Sequence, residues 1–314
     1  MTDKILDLVA IGEPMVEFNQ AEENGAFAQG FGGDSSNVAI AASRQGAKAA
    51  YWTRLGDDAF GRSLRRLWQA EGVQADEVAT DRDAPTGIYF VTHGPDGHEF
   101  TYRRSGSAAA RMTPADLPTR LVASARFLHV SGISQAISPS ATDTVFHAVE
   151  TARAAGTRVS YDPNVRLKLW SRPRARAIID ATIAQADVFL PGFEEMADLF
   201  GLTHPEAVLD YALGRGAGLV LLKLGAEGAW LAEGDRRLRI PAFKVTAVDA
   251  TGAGDCCDGS FLARLAAGDT AEAAARYACA AAALTTQGYS AVAPIPRREA
   301  VEAFMASNGD AARS

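Results

Sequence analysis

Residues 249–261 read DATGAGDCCDGSF: two glycines, Gly252 and Gly254, bracket Ala253, the acid Asp255 follows, and an apolar stretch with helical spacing comes next. Aspartate is a favoured helix N-cap and glycine a common strand-to-helix turn, so capping alone accounts for these residues. A second reading is chemical. Glycines let backbone N–H groups approach an anion, and a helix N-terminus reinforces a negative ligand there. Asp255 would then act on a hydroxyl beside that anion. Local residues favour the cap and leave the choice to the rest of the chain.

Other clusters have the same double character. In GFGGDSSNVA (30–39), the glycines can simply make a tight turn, with Asp34 or Ser35 capping the helix that follows. Alternatively, backbone exposed at Gly33 lies against a polyhydroxylated ligand, and Asp34 and Asn37 offer it hydrogen bonds. In YDPNVRLKLW (161–170), Pro163 stops a strand, Asp162 and Asn164 suit a turn, and Arg166 and Lys168 suit solvent. Yet this segment follows a strand, where open α/β sheets bind ligands, and a planar guanidinium there suits a carboxylate or phosphate. Strand alternation puts Tyr102 and Arg104 on one face of a hairpin that also carries Tyr89. LLKLGAEGAW (221–230) reads as an ordinary hairpin, and LPGFEEMADLFG as a strand entering an acidic helix start.

These clusters need a scaffold. Apolar runs such as DLVAIG, ARFLHVSG, TRVSYDP, ADVFLPG and GLVLLKLG each precede a segment of helical period, which predicts a doubly wound, mostly parallel sheet flanked by helices. Two stretches, 15–31 and 86–105, read as strands without helices, the second turned at GPDG; together they predict a small projecting sheet, a lid over the strand ends. The chain 1–314 reads as one domain with that insertion, and its tail SNGDAARS as frayed.

Composition narrows the functions. With 314 residues, 47% hydrophobic, the chain can bury a large core, and a net charge of -7 gives no general footprint for nucleic acid. Cys256, Cys257 and Cys279 suit neither a disulfide framework nor zinc spacing, and the N-terminus lacks a secretory pattern, so a cytoplasmic protein without a membrane span is expected. No GxxxxGK[ST] or HExxH occurs, and Cys257 stands where GxGxxG needs its last glycine.

Taken together and in order, GGDSSN, KLGAEG and DATGAGD resemble the ribokinase-like (PfkB-type) sugar kinases over nearly the whole chain. FGGDSSN, FTYRRSGSAAAR, FLHVSGIS and DPNVRLKLW are most similar to the branch acting on 2-keto-3-deoxygluconate. The resemblance implies a Rossmann-like core with a β lid, ATP with Mg2+, and phosphorylation of a terminal hydroxyl, the 6-hydroxyl in that branch. It assigns Asp255 as catalytic base and the backbone of Gly252, Ala253 and Gly254 as an anion hole. Phosphoryl transfer asks mainly for positioning and charge neutralisation, and an ordinary carboxylate pKa would suffice.

The resemblance further implies substrate contacts from Gly33, Asp34, Asn37, Tyr89, Tyr102, Arg104 and Arg166, with Arg104 and Arg166 gripping the acid end. Lys223, Gly225, Ala226 and Gly228 match the nucleotide turn. Where the family often has Asn three residues before an acid, PGFEE has Gly192 before Glu195, leaving a water-mediated Mg2+ contact to Glu195. A monovalent cation such as K+ would fall at Asp249 and Thr251, and the lid would serve a homo-oligomer. The rival readings are a fructokinase or ribokinase of the same family, and a sugar-acid sensor without catalysis.

Overall fold

The computed structural model describes residues 4–20, 25–94 and 97–308. The first described strand, β1 (Leu6–Ile11), leads to β2 (Met15–Gln20), β3 (Phe27–Gly32) and helix α1 (Asp34–Arg44). Next come β4 (Ala49–Trp52), β5 (Arg54–Gly56), α2 (Ala59–Ala70), β6 (Ala79–Asp81), β7 (Ile88–Gly94) and β8 (Gly97–Arg103). The middle of the chain forms α3 (Thr119–Ala123), β9 (Ala125–Ser131), α4 (Gly132–Ala136), α5 (Pro139–Ala154), β10 (Arg158–Asp162), α6 (Arg172–Ile183) and β11 (Val188–Phe189). It continues through α7 (Phe193–Phe200), α8 (Pro205–Arg215), β12 (Leu219–Lys223), β13 (Ala229–Glu233) and β14 (Arg236–Ile240). Three helices end it: α9 (Ala253–Ala267), α10 (Ala271–Thr285) and α11 (Arg298–Asn308). The expected turn residues Pro95 and Asp96 and the tail after Asn308 lie outside the described residues.

Eight strands form the central sheet in the order β14-β13-β12-β11-β10-β9-β1-β4. From β4 to β12 every neighbour is parallel, and β13 and β14 add an antiparallel edge. Such strands are buried on both faces, so alternate residues serve two separate cores. Val9, Leu128, Val159 and Val220 pack with α5, α6 and α8 residues such as Val145, Ile179 and Leu209. Their neighbours Leu8, Phe127 and Leu221 pack with Val38 of α1 and Phe261 of α9. On that second face the strands end in polar residues: Ser131 on β9, Asp162 on β10 and Lys223 on β12. The same alternation that builds the core thereby turns three polar side chains toward α1 and α9 at the C-terminal ends of the parallel strands.

A second sheet has the order β3-β2-β7-β8. Pairing puts Gly30, Glu17, Tyr89 and Tyr102 on one face, because each lies opposite the next in register. The other face carries Val16, Phe18, Phe31 and Ile88, which pack on the core beside Phe60 of α2. Among the described residues no helix is long and apolar enough to cross a membrane.

Helices α1 and α9 meet at Gly259. A Cβ there would stand 2.3 Å from the Val38 carbonyl oxygen and 2.9 Å from the Ala42 nitrogen, both backbone atoms, so no rotamer change relieves the clash. Gly259→Ala is therefore expected to lower unfolding stability by about 1–3 kcal/mol through forced separation of the helices. Urea or thermal unfolding checks this; a midpoint equal to wild type would show that the helices are not in contact there.

Candidate active site

Asp255 is not the cap of its helix. The N-cap of α9 is Gly252, in the left-handed region at φ 76 and with its α-carbon facing the Ala291 carbonyl, where a Cβ would approach to 2.5 Å. Asp255 stands instead in the first helical turn, and its Oδ2 accepts from Nδ2 of Asn37 on α1 at 2.8 Å. The side chain is only half-buried, yet protein surrounds the carboxylate closely. Burial, together with the negative charges of Asp34 and Asp162, pushes its pKa up to about 7, against the opposing Asn37 hydrogen bond and Lys223. An ordinary carboxylate value would have sufficed for the role implied by the resemblance, and a pKa near neutrality suits a general base better.

Helix α1 also begins at a glycine, Gly33, rather than at Asp34 or Ser35; no side chain caps it. Gly33 backbone lies against the Glu13 carbonyl, with Asp34 and Asn37 buried on the turn that follows. Both carboxylate oxygens of Asp34 and Oδ1 of Asn37 lack a well-formed protein hydrogen bond, although shielded from solvent. Burial raises the Asp34 pKa, offset only in part by the Ser131 hydroxyl and the Ser35 amide. Buried acceptors of this kind are costly unless a donor reaches them, so they suit ligand hydroxyls.

The second sheet supplies Tyr89 and Tyr102, whose rings stack at 5.7 Å and 29°. Tyr89 donates to Glu17, and its hydroxyl lies beneath Gly32. Arg104 sits over the Tyr102 ring at 5.8 Å, on the face that alternation predicted. Its guanidinium is not free, however: Nε donates to Oε2 of the fully buried Glu13 at 2.6 Å, and Ser107 donates to the other Glu13 oxygen. Arg166 differs. It is exposed on the loop after β10, it donates to its neighbour Val165 carbonyl at 2.9 Å, and no carboxylate pairs with it among the described residues.

Lys223 does not stand free beside the nucleotide turn. Its Nζ lies 3.0 Å from Asp162 Oδ2 and 3.0 Å from both oxygens of Asp258. Burial works against its charge, but the two carboxylates outweigh that and hold the pKa well above the ordinary lysine value. Past Lys223, Gly225 and Ala226 form an exposed turn, closed by Leu224 donating to the Gly228 carbonyl at 2.9 Å. Asp258, Glu13 and Glu17 escaped the sequence reading, and Asp162 was weighed only as a turn former. The recoverable signal was position: Glu13 comes one glycine after an apolar strand, and Asp162 ends a strand on which Ser160 shares its face.

Glu195 reaches back across the start of α7, accepting from the Gly192 amide at 2.8 Å and from the Val165 amide at 2.6 Å. Burial and the nearby Asp162 raise its pKa to about 7. Each oxygen keeps a lone pair, and Mg2+ usually retains several waters while using one or two carboxylates plus substrate phosphates, so a water-mediated contact fits this donor set. Among the described residues no three acidic, His or Cys side chains form a metal cage. Asp249 organises its loop, accepting from Thr251 N at 2.9 Å, Thr251 Oγ1 at 2.6 Å and Ser290 N at 3.1 Å.

Residues 5–298 match the pfkB family carbohydrate kinase. The chain belongs to this family of sugar kinases. It is 34% identical over 307 residues to a 2-dehydro-3-deoxygluconokinase of Thermoproteus tenax, covering 94% of this chain and 93% of that protein. It is also 34% identical to a fructokinase of Solanum tuberosum, covering 92% of each. A PfkB protein from Polaromonas sp. JS666 superimposes with TM-score 0.87 at 34% identity, covering 95% and 99% of the two chains. A putative ribokinase II from E. coli, solved with ATP and Mg2+, shares the fold at TM-score 0.89 and 24% identity, covering 98% and 100%. The fold is ribokinase-like, and the kinase family is common to sugar-acid and neutral-sugar relatives.

A base at Asp255 would have to be ionised to accept a proton, so the acidic limb of kcat/KM, which reports the free enzyme's base, is expected near pH 7. Asn37→Ala removes a hydrogen bond that favours the ionised form and is expected to move the limb to higher pH. A pH–rate series on both proteins checks this; coincident limbs would break the link between Asn37 and the base.

Proposed function

We propose that this sugar kinase transfers the γ-phosphoryl group of ATP to the 6-hydroxyl of 2-keto-3-deoxygluconate. The observation that carries the reading is Arg166, an exposed guanidinium without an acidic partner among the described residues, on the loop that follows Asp162. Arg166 would bind the sugar-acid carboxylate through two parallel hydrogen bonds. Arg104, paired with Glu13, would act from the side, keeping the Tyr102 ring in place and offering its remaining N–H groups. Asp34, Asn37 and the Gly33 turn would receive the chain hydroxyls, leaving the 6-hydroxyl at Asp255.

In the transfer, the hydroxyl oxygen bonds to the γ-phosphorus while the bond to the bridging oxygen of ADP breaks. Asp255 takes the hydroxyl proton, and the amides of Gly252 and Gly254 would hold the phosphoryl oxygens at the start of α9, joined by the Ala253 amide once it leaves the Ala250 carbonyl to which it donates at 3.1 Å. Gly225, Ala226 and Gly228 would shape the nucleotide turn, and K+ near Asp249 and Thr251 would support the separate loop that enters α9. Glu195 would hold Mg2+ through water, and the ion would supply charge neutralisation for the phosphates.

ADP release measured across 2-keto-3-deoxygluconate, its galactonate epimer, fructose and ribose tests the proposal. The sugar acid should be turned over with the highest kcat/KM. Arg166→Ala should lower kcat/KM for it by about 10- to 100-fold, the equivalent of roughly 1.5–3 kcal/mol for a hydrogen-bonded charge. Faster turnover of fructose or ribose, unaffected by Arg166→Ala, would replace the sugar acid with a neutral sugar.

A further inference from the structure

We infer that Lys223 is a positioning residue: its ammonium pins the first turns of α9 to the ends of β10 and β12, and so sets where the anion-hole amides and Asp255 face the reacting groups. The inference rests on the reading of Asp255 as the base, and it does not depend on which sugar is phosphorylated.

The geometry has three parts. Nζ contacts Asp162 at the last position of β10 and Asp258 on α9, one turn after Asp255, while its own backbone ends β12. The Lys223 amide also donates to the Pro191 carbonyl at 2.8 Å, which joins the strand end to the segment entering α7. Finally, Nζ lies 3.7 Å from where a Cβ on Gly254 would be, directly against the turn that presents the amides. Asp258 is fully buried and Asp162 nearly so. An ammonium held 3.0 Å from two buried acids has a strongly preferred place, because moving it leaves Asp162 without its countercharge and Asp258 without its hydrogen-bond partner. Asp162 in turn accepts from the Asn164 amide at 3.0 Å, at the root of the loop that carries Arg166. A single ammonium therefore joins the base-bearing helix, the substrate loop and the nucleotide turn.

A lysine whose role was to contact a phosphate directly would behave otherwise. Its loss would weaken ATP binding, and Asp258 would have no part in turnover. As a pin, Lys223→Met is expected to lower kcat on the order of 100-fold, the scale of a displacement of about 1 Å at the reacting groups, with KM for ATP changed much less. Its acidic limb should also move to higher pH, since the cation favours ionised Asp255. Asp258→Asn, nearly isosteric, should lower kcat in the same direction and speed amide hydrogen exchange across residues 253–257. Kinetics use whichever sugar in the panel gives the fastest ADP release, and exchange needs no sugar, so failure of the substrate reading and failure of the pin are told apart. A raised KM for ATP with unchanged kcat and pH limb in Lys223→Met would overturn the inference. Wild-type kcat or wild-type exchange in Asp258→Asn would overturn it as well, including where Lys223→Met fails to fold.

Discussion

The site depends on how closely α9 approaches α1. Gly259 lets the two backbones meet, and only at that separation does Asn37 reach Asp255 at 2.8 Å. The same approach carries Asp258 onto the sheet face where Asp162 and Lys223 emerge. Helix packing, the Asn37–Asp255 hydrogen bond and the Lys223 contacts are thus consequences of one approach. Wider helices would leave Asp255 without its hydrogen bond and Asp258 out of reach of Lys223.

A phosphoryl-transfer site crowded with carboxylates looks at first poorly suited to a highly charged nucleotide. Burial resolves much of this. Glu13 is paired with Arg104, and Asp162 is held in its ionised form by Lys223 despite burial. Asp258 is pushed well up by burial in spite of Lys223, Asp34 is also raised, and Asp255 and Glu195 each reach about 7. Around neutral pH the residue count therefore overstates the negative charge. Removing any one cation would shift this balance across several acids at once, because buried charges interact over distances that solvent would otherwise screen.

Much of the fold was legible because its signals are local. Alternating apolar strands and helical periods mark the parallel sheet, and the helix-free stretches mark the second sheet. The clusters around Gly33, Asp255 and Lys223 were legible as places, since glycines at element boundaries are visible in sequence. Their partners were not. The Glu13–Arg104 pair joins residues 91 positions apart, and Asn37 and Asp255 are separated by 218. Nothing in either local stretch encodes that meeting, which follows from sheet order and helix packing. Asp255 itself shows the limit: its residue type and setting suited a cap, whereas the structure gives the cap to Gly252 and the carboxylate to Asn37.

The account stands or falls on Asp255 as the proton acceptor. The most direct measurement compares Asp255→Asn with wild type for sugar-dependent ADP release and for sugar binding by calorimetry. Asparagine keeps the shape of the side chain and cannot take the proton, so release should be lost while sugar affinity is largely kept. Sugar-dependent ADP release at the wild-type rate in Asp255→Asn would contradict it.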